Sequence, residues 1–196
     1  YALQQAGIQV TVLERLAHAG GRVRTIGKGG FNIDMGAQFI TNFYPNTRYL
    51  IQKLGLENEL ITLPAEAAIL REGRLYKLRK DLSLLTTNLI SVRGKLQLLK
   101  VIWPMLRYWN TMDFHAFWKN EALDICSIAE YTHRTWTDEI LDYVIEPPLS
   151  AFLYWVPENT SQAMLFVLLK AALGIRLLTL RRGLGYLAEK LATTLD

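Results

Sequence analysis

A short alternating segment near the start of the chain constrains the fold most tightly. Ile8, Val10 and Val12 alternate with polar residues and lead to Glu14, which predicts a strand over residues 8–13. Residues 1–7 have the pattern of a helix end that a glycine stops. In a Rossmann unit, an acidic residue after the second strand accepts hydrogen bonds from a ribose hydroxyl. The order of helix, strand and acid therefore predicts part of a dinucleotide-binding unit, whose glycine turn would precede residue 1.

Two short motifs follow this segment. The first is Gly20-Gly21-Arg22, whose arginine lies eight residues after Glu14. Its glycines allow the backbone to approach a ligand closely, and the arginine offers a fixed fork of donors to a pyrophosphate. The second motif is Asp34-Met-Gly-Ala-Gln-Phe39. We expect Asp34 to bind backbone donors in its turn rather than to take part in catalysis.

These motifs resemble those of the FAD-containing amine oxidase superfamily: Val-Thr-Val-Leu-Glu14, Gly-Gly-Arg22 and Asp34-x-Gly-Ala37. The resemblance implies FAD as the cofactor, with Glu14 on the adenosine ribose. Arg22, beside Gly20 and Gly21, would contact the phosphate region. Beside the flavin ring the resemblance places Gly36, Ala37, Gln38 and Phe39. One departure is Leu16, which stands where several members of the superfamily carry a basic residue.

Weaker landmarks resemble the protoporphyrinogen oxidase-like branch: Leu54–Glu57, Ser127–Tyr131, Glu146–Ala151 and Arg182–Ala188. The resemblance implies an enzyme that removes a hydride from a reduced organic substrate, a small molecule. Three alternatives remain open: a flavin amine oxidase acting on a primary or secondary amine, a carotenoid desaturase-like enzyme, and a non-catalytic degenerate flavoprotein or binding module. The sequence identifies no catalytic residue.

The predicted fold class is α/β, with an incomplete Rossmann-like FAD-binding domain and a mostly helical substrate domain. Glycine-rich short elements give way to long helices near residue 60. We therefore expect a partial FAD-binding domain over 1–60, a helical substrate domain over 61–176, and a return to the FAD-binding domain over 177–196. The terminal residues suggest a fragment of a longer protein, so we expect the 196-residue chain alone to be inactive.

The local patterns predict individual elements. Expected strands are Arg22–Ile26, Phe31–Asp34, Gln38–Ile40 and Leu177–Leu180, with a hairpin formed by Ala68–Arg71 and Arg74–Leu78. Expected helices are Asn46–Leu54 and Thr160–Leu173, one that begins with the capping box Ser127-Ile-Ala-Glu130, and one that ends at Glu146-Pro-Pro148.

Composition excludes several classes of function. The three histidines, His18, His115 and His133, lack the spacing of metal ligands, so no metal site is predicted. A net charge of +4 without a recognition module argues against nucleic acid. The single cysteine fits a reducing compartment, and we expect a cytoplasmic protein whose membrane association is open. The Gly183-x-Gly185-x-x-Ala188 pattern is interpreted as a turn that begins a helix. The oligomeric state is not predicted.

The basic and apolar segment 84–109 has two interpretations. Its leucines are interleaved with Arg93, Lys95, Lys100 and Arg107, as in a helix that lies on a membrane surface. Alternatively, the same segment covers the substrate cavity, and Leu96, Leu99 and Trp103 then pack against the helix at 160–173. The sequence favours the cover.

Overall fold

The computed structural model describes residues 1–64, 66–78 and 86–195. The helices, in chain order, are α1 (Ala2–Gln5), α2 (Pro45–Lys53), α3 (Val92–Leu98), α4 (Ile102–Tyr108), α5 (Ile128–Thr135), α6 (Asp138–Ile140), α7 (Glu146–Pro148), α8 (Gln162–Ala172) and α9 (Gly185–Ala192). The strands are β1 (Thr25–Lys28), β2 (Phe31–Asp34), β3 (Ile40–Thr41), β4 (Leu60–Leu63), β5 (Ala67–Arg71), β6 (Arg74–Leu78) and β7 (Leu177–Leu180). The chain divides into a discontinuous unit, Tyr1–Pro64 with Ile175–Asp196, and an inserted unit, Ala65–Gly174.

The discontinuous unit contains two antiparallel sheets. The strands β1 and β2 form a hairpin across Gly29 and Gly30, which both have positive φ. In the second sheet β7 lies between β3 and β4, and Leu180 pairs with Leu60. The predicted strands at 31–34 and 177–180 are therefore confirmed. The core of this unit consists of buried side chains of β3, α2 and β7, of the loop after α2 and of the residue before α9: Ile40, Ile51, Leu56, Leu180 and Leu184.

The predicted strand over residues 8–13 is wrong. The structure assigns these residues no regular secondary structure, and Leu13 is 92% exposed. A strand needs a neighbour to satisfy its backbone groups, and no strand in the described part of the chain pairs with this segment. All strand pairs of the described residues are antiparallel, whereas a Rossmann unit is parallel. The Rossmann-like detail is thus not confirmed, although the mixed helix and strand content is.

The inserted unit is mostly helical, apart from the predicted hairpin, in which β5 pairs with β6 around Glu72 and Gly73. The predicted capping box is confirmed at α5, since Ser127 Oγ accepts from the Glu130 amide and the Glu130 carboxylate accepts from the Ser127 amide. Buried side chains of α5, α6 and α8 pack together, among them Ile128, Ile140, Leu165 and Phe166. The predicted apolar core helix is α8, with bounds Gln162–Ala172.

The prediction that a helix ends at Glu146-Pro-Pro148 is wrong. The chain stays helical from Asp138 to Leu153 because π turns at Leu141–Ile145 and Leu149–Leu153 flank α7. A π turn before a proline displaces the backbone carbonyl one turn earlier, with which the pyrrolidine ring would otherwise clash. The helical run ends at Tyr154, whose φ is +56°.

The segment 92–108 runs as α3, a 3₁₀ turn at Leu99–Val101, and α4. Leu98, Val101 and Met105 pack against the core of the inserted unit. The favoured interpretation, in which Leu96, Leu99 and Trp103 are packed, is wrong: all three are more than half exposed. The opposite side of the helix makes the core contacts instead. Leu84 and Leu85, which the prediction included, lie outside the described residues. Within the described ranges, no helix is both long and apolar enough to traverse a membrane.

Candidate functional site

Two of the predicted cofactor motifs lie against each other in the discontinuous unit. The Arg22 carbonyl accepts a hydrogen bond from the Ala37 amide at 3.0 Å, and the Arg24 carbonyl accepts one from the Met35 amide at 2.8 Å. These bonds extend the β1–β2 pairing beyond Thr25 and Asp34. The structure thereby brings the Gly-Gly-Arg turn together with the second motif.

Glycine is required in this loop pair for two different reasons. Gly20 and Gly21 have φ values of +107° and +49°, a region that glycine enters at little cost. Gly36 lies outside that region, but a Cβ added there would lie 2.1 Å from the Arg22 carbonyl oxygen. Conformation therefore selects glycine in the first motif, and lack of space selects it in the second.

The other predicted residues of this loop pair lie at its surface. The side chains of Arg22, Ala37 and Gln38 are exposed, whereas Phe39 is partly buried and leads into the buried start of β3. Arg22 occupies a 3₁₀ turn formed by Gly21–Val23. An exposed guanidinium suits the phosphate portion of a dinucleotide cofactor. Glycine backbone suits the ring portion, because a ligand can approach it closely.

Glu14 makes its hydrogen bond within its own loop and not to this loop pair. It is exposed, and its Oε1 accepts a hydrogen bond from the Leu16 amide at 2.9 Å, within its own loop. A carboxylate has about four acceptor positions, so this local bond leaves capacity for a ribose hydroxyl. An exposed carboxylate with free acceptor positions fits the adenosine ribose of FAD. The hydrogen bond that Glu14 makes does not connect it to Arg22.

Asp34 forms hydrogen bonds that connect β2 to β1 and to the start of α9, and the sequence indicated only some of them. Its Oδ1 accepts from the Thr25 hydroxyl and, at 3.0 Å, from the Leu184 amide. The Thr25 Oγ1 in turn accepts from the Gly185 amide at 2.8 Å. Asp34 does bind a backbone donor, but the prediction that this donor belongs to its own turn is wrong, because the Leu184 amide lies 150 residues away. No pattern in the sequence identifies Thr25 as a hydrogen-bond partner of Asp34.

The same link explains the glycine pattern at residues 183–188. An added Cβ would lie 2.4 Å from Thr25 Cγ2 at Gly183 and 2.5 Å from the Thr25 amide nitrogen at Gly185. The glycines therefore allow the start of α9 to pack closely on β1. Free amides at a helix start bind phosphate, but here Asp34 and Thr25 accept hydrogen bonds from two of them. This supports the interpretation of residues 183–188 as a turn that begins a helix.

A second polar cluster, which the sequence did not reveal, centres on Glu139 in the inserted unit. Its carboxylate accepts from the Ser91 amide at 3.0 Å, from the Ser91 hydroxyl, and from Arg71 Nη1 at 3.4 Å. Arg71 also donates to the Leu89 carbonyl at 2.5 Å and lies over the Tyr143 ring at 4.6 Å. Burial alone would raise the pKa of Glu139, but the hydrogen bonds from Ser91, Arg71 and Thr137 hold that pKa below its ordinary value. The cluster fastens the start of α3 to β5 and α6.

Comparison with models of known protein families shows which family the chain belongs to. The model described as flavin containing amine oxidoreductase matches residues 1–196. The chain therefore belongs to the flavin containing amine oxidoreductase family, and the predicted family and FAD cofactor are confirmed at that level.

Two curated relatives are similar to most of the chain. Protoporphyrinogen oxidase, mitochondrial, of Nicotiana tabacum is 29% identical over 166 residues, which cover 82% of this chain and 31% of that protein. Coproporphyrinogen III oxidase of Bacillus subtilis (strain 168) is 24% identical over 153 residues, covering 73% and 30%. The chain thus spans about a third of the length of these relatives.

Solved structures share the fold. Wild-type putrescine oxidase bound to putrescine superposes with a TM-score of 0.64 at 16% identity, over 100% of this chain and 45% of that one. A redesigned triple mutant of putrescine oxidase gives a TM-score of 0.63, also at 16% identity. At this identity the likeness concerns the fold alone.

Proposed function

We propose that this chain is part of an FAD-dependent oxidoreductase that oxidises a reduced tetrapyrrole, in the manner of a protoporphyrinogen oxidase. The two curated relatives described above, an oxidase of protoporphyrinogen and one of coproporphyrinogen, support this substrate class. When bound, FAD would supply the hydride acceptor for oxidation of the substrate carbon.

The chain's own residues bind and orient the cofactor in this proposal. Arg22 holds the phosphate region through charge-assisted hydrogen bonds, and Glu14 accepts from the adenosine ribose. Residues 36–39 approach the flavin ring through their backbone, because Gly36 presents no side chain. In this proposal the discontinuous unit, Tyr1–Pro64 with Ile175–Asp196, belongs to the cofactor domain, and the inserted unit, Ala65–Gly174, to the substrate domain.

One observation carries the cofactor assignment. The Gly-Gly-Arg turn and the second motif are joined by the bond from the Ala37 amide to the Arg22 carbonyl, at a point where only glycine fits at position 36. Two segments that the family resemblance places against FAD are therefore held together. Asp34 also accepts a hydrogen bond from the Thr25 hydroxyl at the end of the β1–β2 pair that adjoins these motifs.

Anaerobic reduction of the intact protein tests the substrate class. The purified protein should carry the visible absorption bands of FAD, and a porphyrinogen should bleach them within a single turnover. Putrescine, a primary amine, and a polyene are tested in the same way as substrates of the two alternative enzyme classes. Bleaching by putrescine but not by a porphyrinogen would replace the proposal with an amine oxidase. A protein purified without any flavin would refute both.

A further inference from the structure

Thr25 and Asp34 lie opposite each other at the end of the β1–β2 pair that adjoins the cofactor motifs. The next bond along this pair runs from the Met35 amide to the Arg24 carbonyl at 2.8 Å. We call residues 35–39 the flavin loop, because the proposed function places residues 36–39 beside the flavin ring. The flavin loop begins at the residue that follows Asp34, so a displacement of Asp34 passes directly into it.

Three hydrogen bonds fasten this residue pair to the beginning of α9. Asp34 Oδ1 accepts from the Thr25 hydroxyl and, at 3.0 Å, from the Leu184 amide. The Thr25 Oγ1 accepts from the Gly185 amide at 2.8 Å, so this hydroxyl is both a donor and an acceptor. Hydrogen bonds to a carboxylate are stronger than those between neutral groups. The pair is therefore held in one arrangement relative to α9.

The beginning of α9 is itself fixed in the core of the discontinuous unit. Leu184 is buried, and Tyr186 packs against the same apolar cluster. The helix also contacts the first cofactor motif, since a Cβ added at Gly20 would lie 3.2 Å from Ala188 Cβ. The helix α9 is thus a fixed support for both cofactor motifs, which contact it through Gly20 and through Asp34.

Close packing limits how the flavin loop can move. A Cβ added at Gly183 would lie 2.8 Å from Asp34 Oδ1, and one added at Gly185 would lie 2.5 Å from the Thr25 amide nitrogen. The residue pair therefore already abuts the backbone that begins α9. If the hydrogen bonds were lost, the flavin loop could move only away from the helix.

From these contacts we infer that Thr25 and Asp34 are positioning residues for the flavin. They fix the place of the flavin loop beside the ring, and their effect on the ring passes through the backbone of that loop. The inference rests on the proposed function, in which residues 36–39 approach the ring. Protein groups beside a flavin ring tune its electronic properties. Loosening the pair should therefore change the absorption bands and reduction potential of bound FAD as well as its affinity.

The threonine hydroxyl can be removed with little change of side-chain shape. In the intact protein, Thr25→Val should bind FAD about tenfold more weakly in equilibrium titration, which corresponds to about 1.4 kcal/mol and to the loss of one hydrogen bond. Its bound flavin should also have displaced visible absorption bands. Thr25→Ser keeps the hydroxyl and should restore both properties. Thr62→Val, at an exposed position of β4, is the matched control and should bind FAD as the native protein does.

Two variants of Asp34 separate its position from its charge. Asp34→Asn loses the charge, but its amide oxygen can still accept from Thr25 and from the Leu184 amide. We therefore expect native absorption bands and an FAD affinity within about threefold of the native value. Asp34→Ala removes the acceptor and should behave like Thr25→Val. If Asp34→Asn is as impaired as Asp34→Ala, the charge rather than the position acts on the flavin, and the inference fails.

Reduction potential and folding separate positioning from a purely structural role. If Thr25→Val lowers the urea midpoint of the flavin-free protein, but its bound flavin keeps the native affinity, absorption and reduction potential, the pair stabilises only the fold and the inference is overturned. The valine variant decides this even if Asp34→Ala does not fold. None of these readouts uses a substrate, so a wrong substrate class leaves them unchanged. A native protein without flavin would refute the proposed function together with this inference.

Discussion

Replacing Gly36 by alanine adds one methyl group at the point where the two cofactor motifs touch. That Cβ would lie 2.1 Å from the Arg22 carbonyl oxygen, whereas ordinary contact begins at 3.4 Å, so the loops must separate by about 1.3 Å. A separation of this size breaks the 3.0 Å bond from the Ala37 amide. The lost hydrogen bond costs about 1 kcal/mol and the overpacking about 1–3 kcal/mol, hence about 2–4 kcal/mol in total.

The assay is the release of flavin fluorescence from the intact protein during heating, together with FAD affinity by titration. Gly36→Ala should release flavin at a lower temperature and bind FAD at least about tenfold more weakly, since about 1.4 kcal/mol corresponds to a factor of ten. Gly27→Ala is the matched control, because an added Cβ at this exposed glycine meets nothing within 4 Å. If the two alanine variants release flavin at the same temperature, then the loop contact does not support the cofactor.

Two further predictions concern charged side chains. Arg22→Ala should weaken FAD binding by about 1.5–3 kcal/mol, the range for a hydrogen bond to a charged group, whereas Arg48→Ala, exposed on α2, should not; equal affinities in equilibrium titration would exclude a phosphate contact. Glu139→Gln should lower the free energy of unfolding in urea at neutral pH by about 2 kcal/mol, because it weakens the bonds from Ser91 and Arg71, with exposed Glu158→Gln as the control. The pKa of Glu139 is lowered in the folded chain, so its stabilisation is complete above its ordinary pKa of 4.5 and is lost as pH falls through the folded pKa. The urea midpoint of Glu139→Gln should therefore vary less with acid than that of the native protein; parallel pH profiles would contradict this.

Local chemistry made part of the fold predictable. The capping box at Ser127 and Glu130, and the hairpin around Glu72 and Gly73, depend on residues a few positions apart, and both were predicted correctly. The Gly-Gly-Arg turn was recognisable for the same reason. The link from Asp34 to Leu184 spans 150 residues, and nothing in either neighbourhood reveals it.

The predictions that were wrong concern features that depend on neighbouring structure, which the local sequence does not show. Alternation at residues 8–13 indicates a strand only where a partner strand exists. The prolines at 147 and 148 end an ordinary helix, but π turns on either side accommodate them. In the segment 92–108 the sequence showed apolar residues on both sides of a helix, and hydrophobicity alone did not determine which side faces the core.

The placement of β7 between β3 and β4 sets an order of events during synthesis on the ribosome. The central strand of that sheet is supplied by residues 177–180, long after its two neighbours at 40–41 and 60–63. The intervening unit, Ala65–Gly174, contains about 110 residues, which the ribosome adds in roughly 5–20 s. During that interval the two outer strands lack the partner that they have in the described part of the chain, while the inserted unit can complete its own helices. The nascent chain therefore exposes unpaired strand edges at residues 40–41 and 60–63, and we expect a chaperone to bind there.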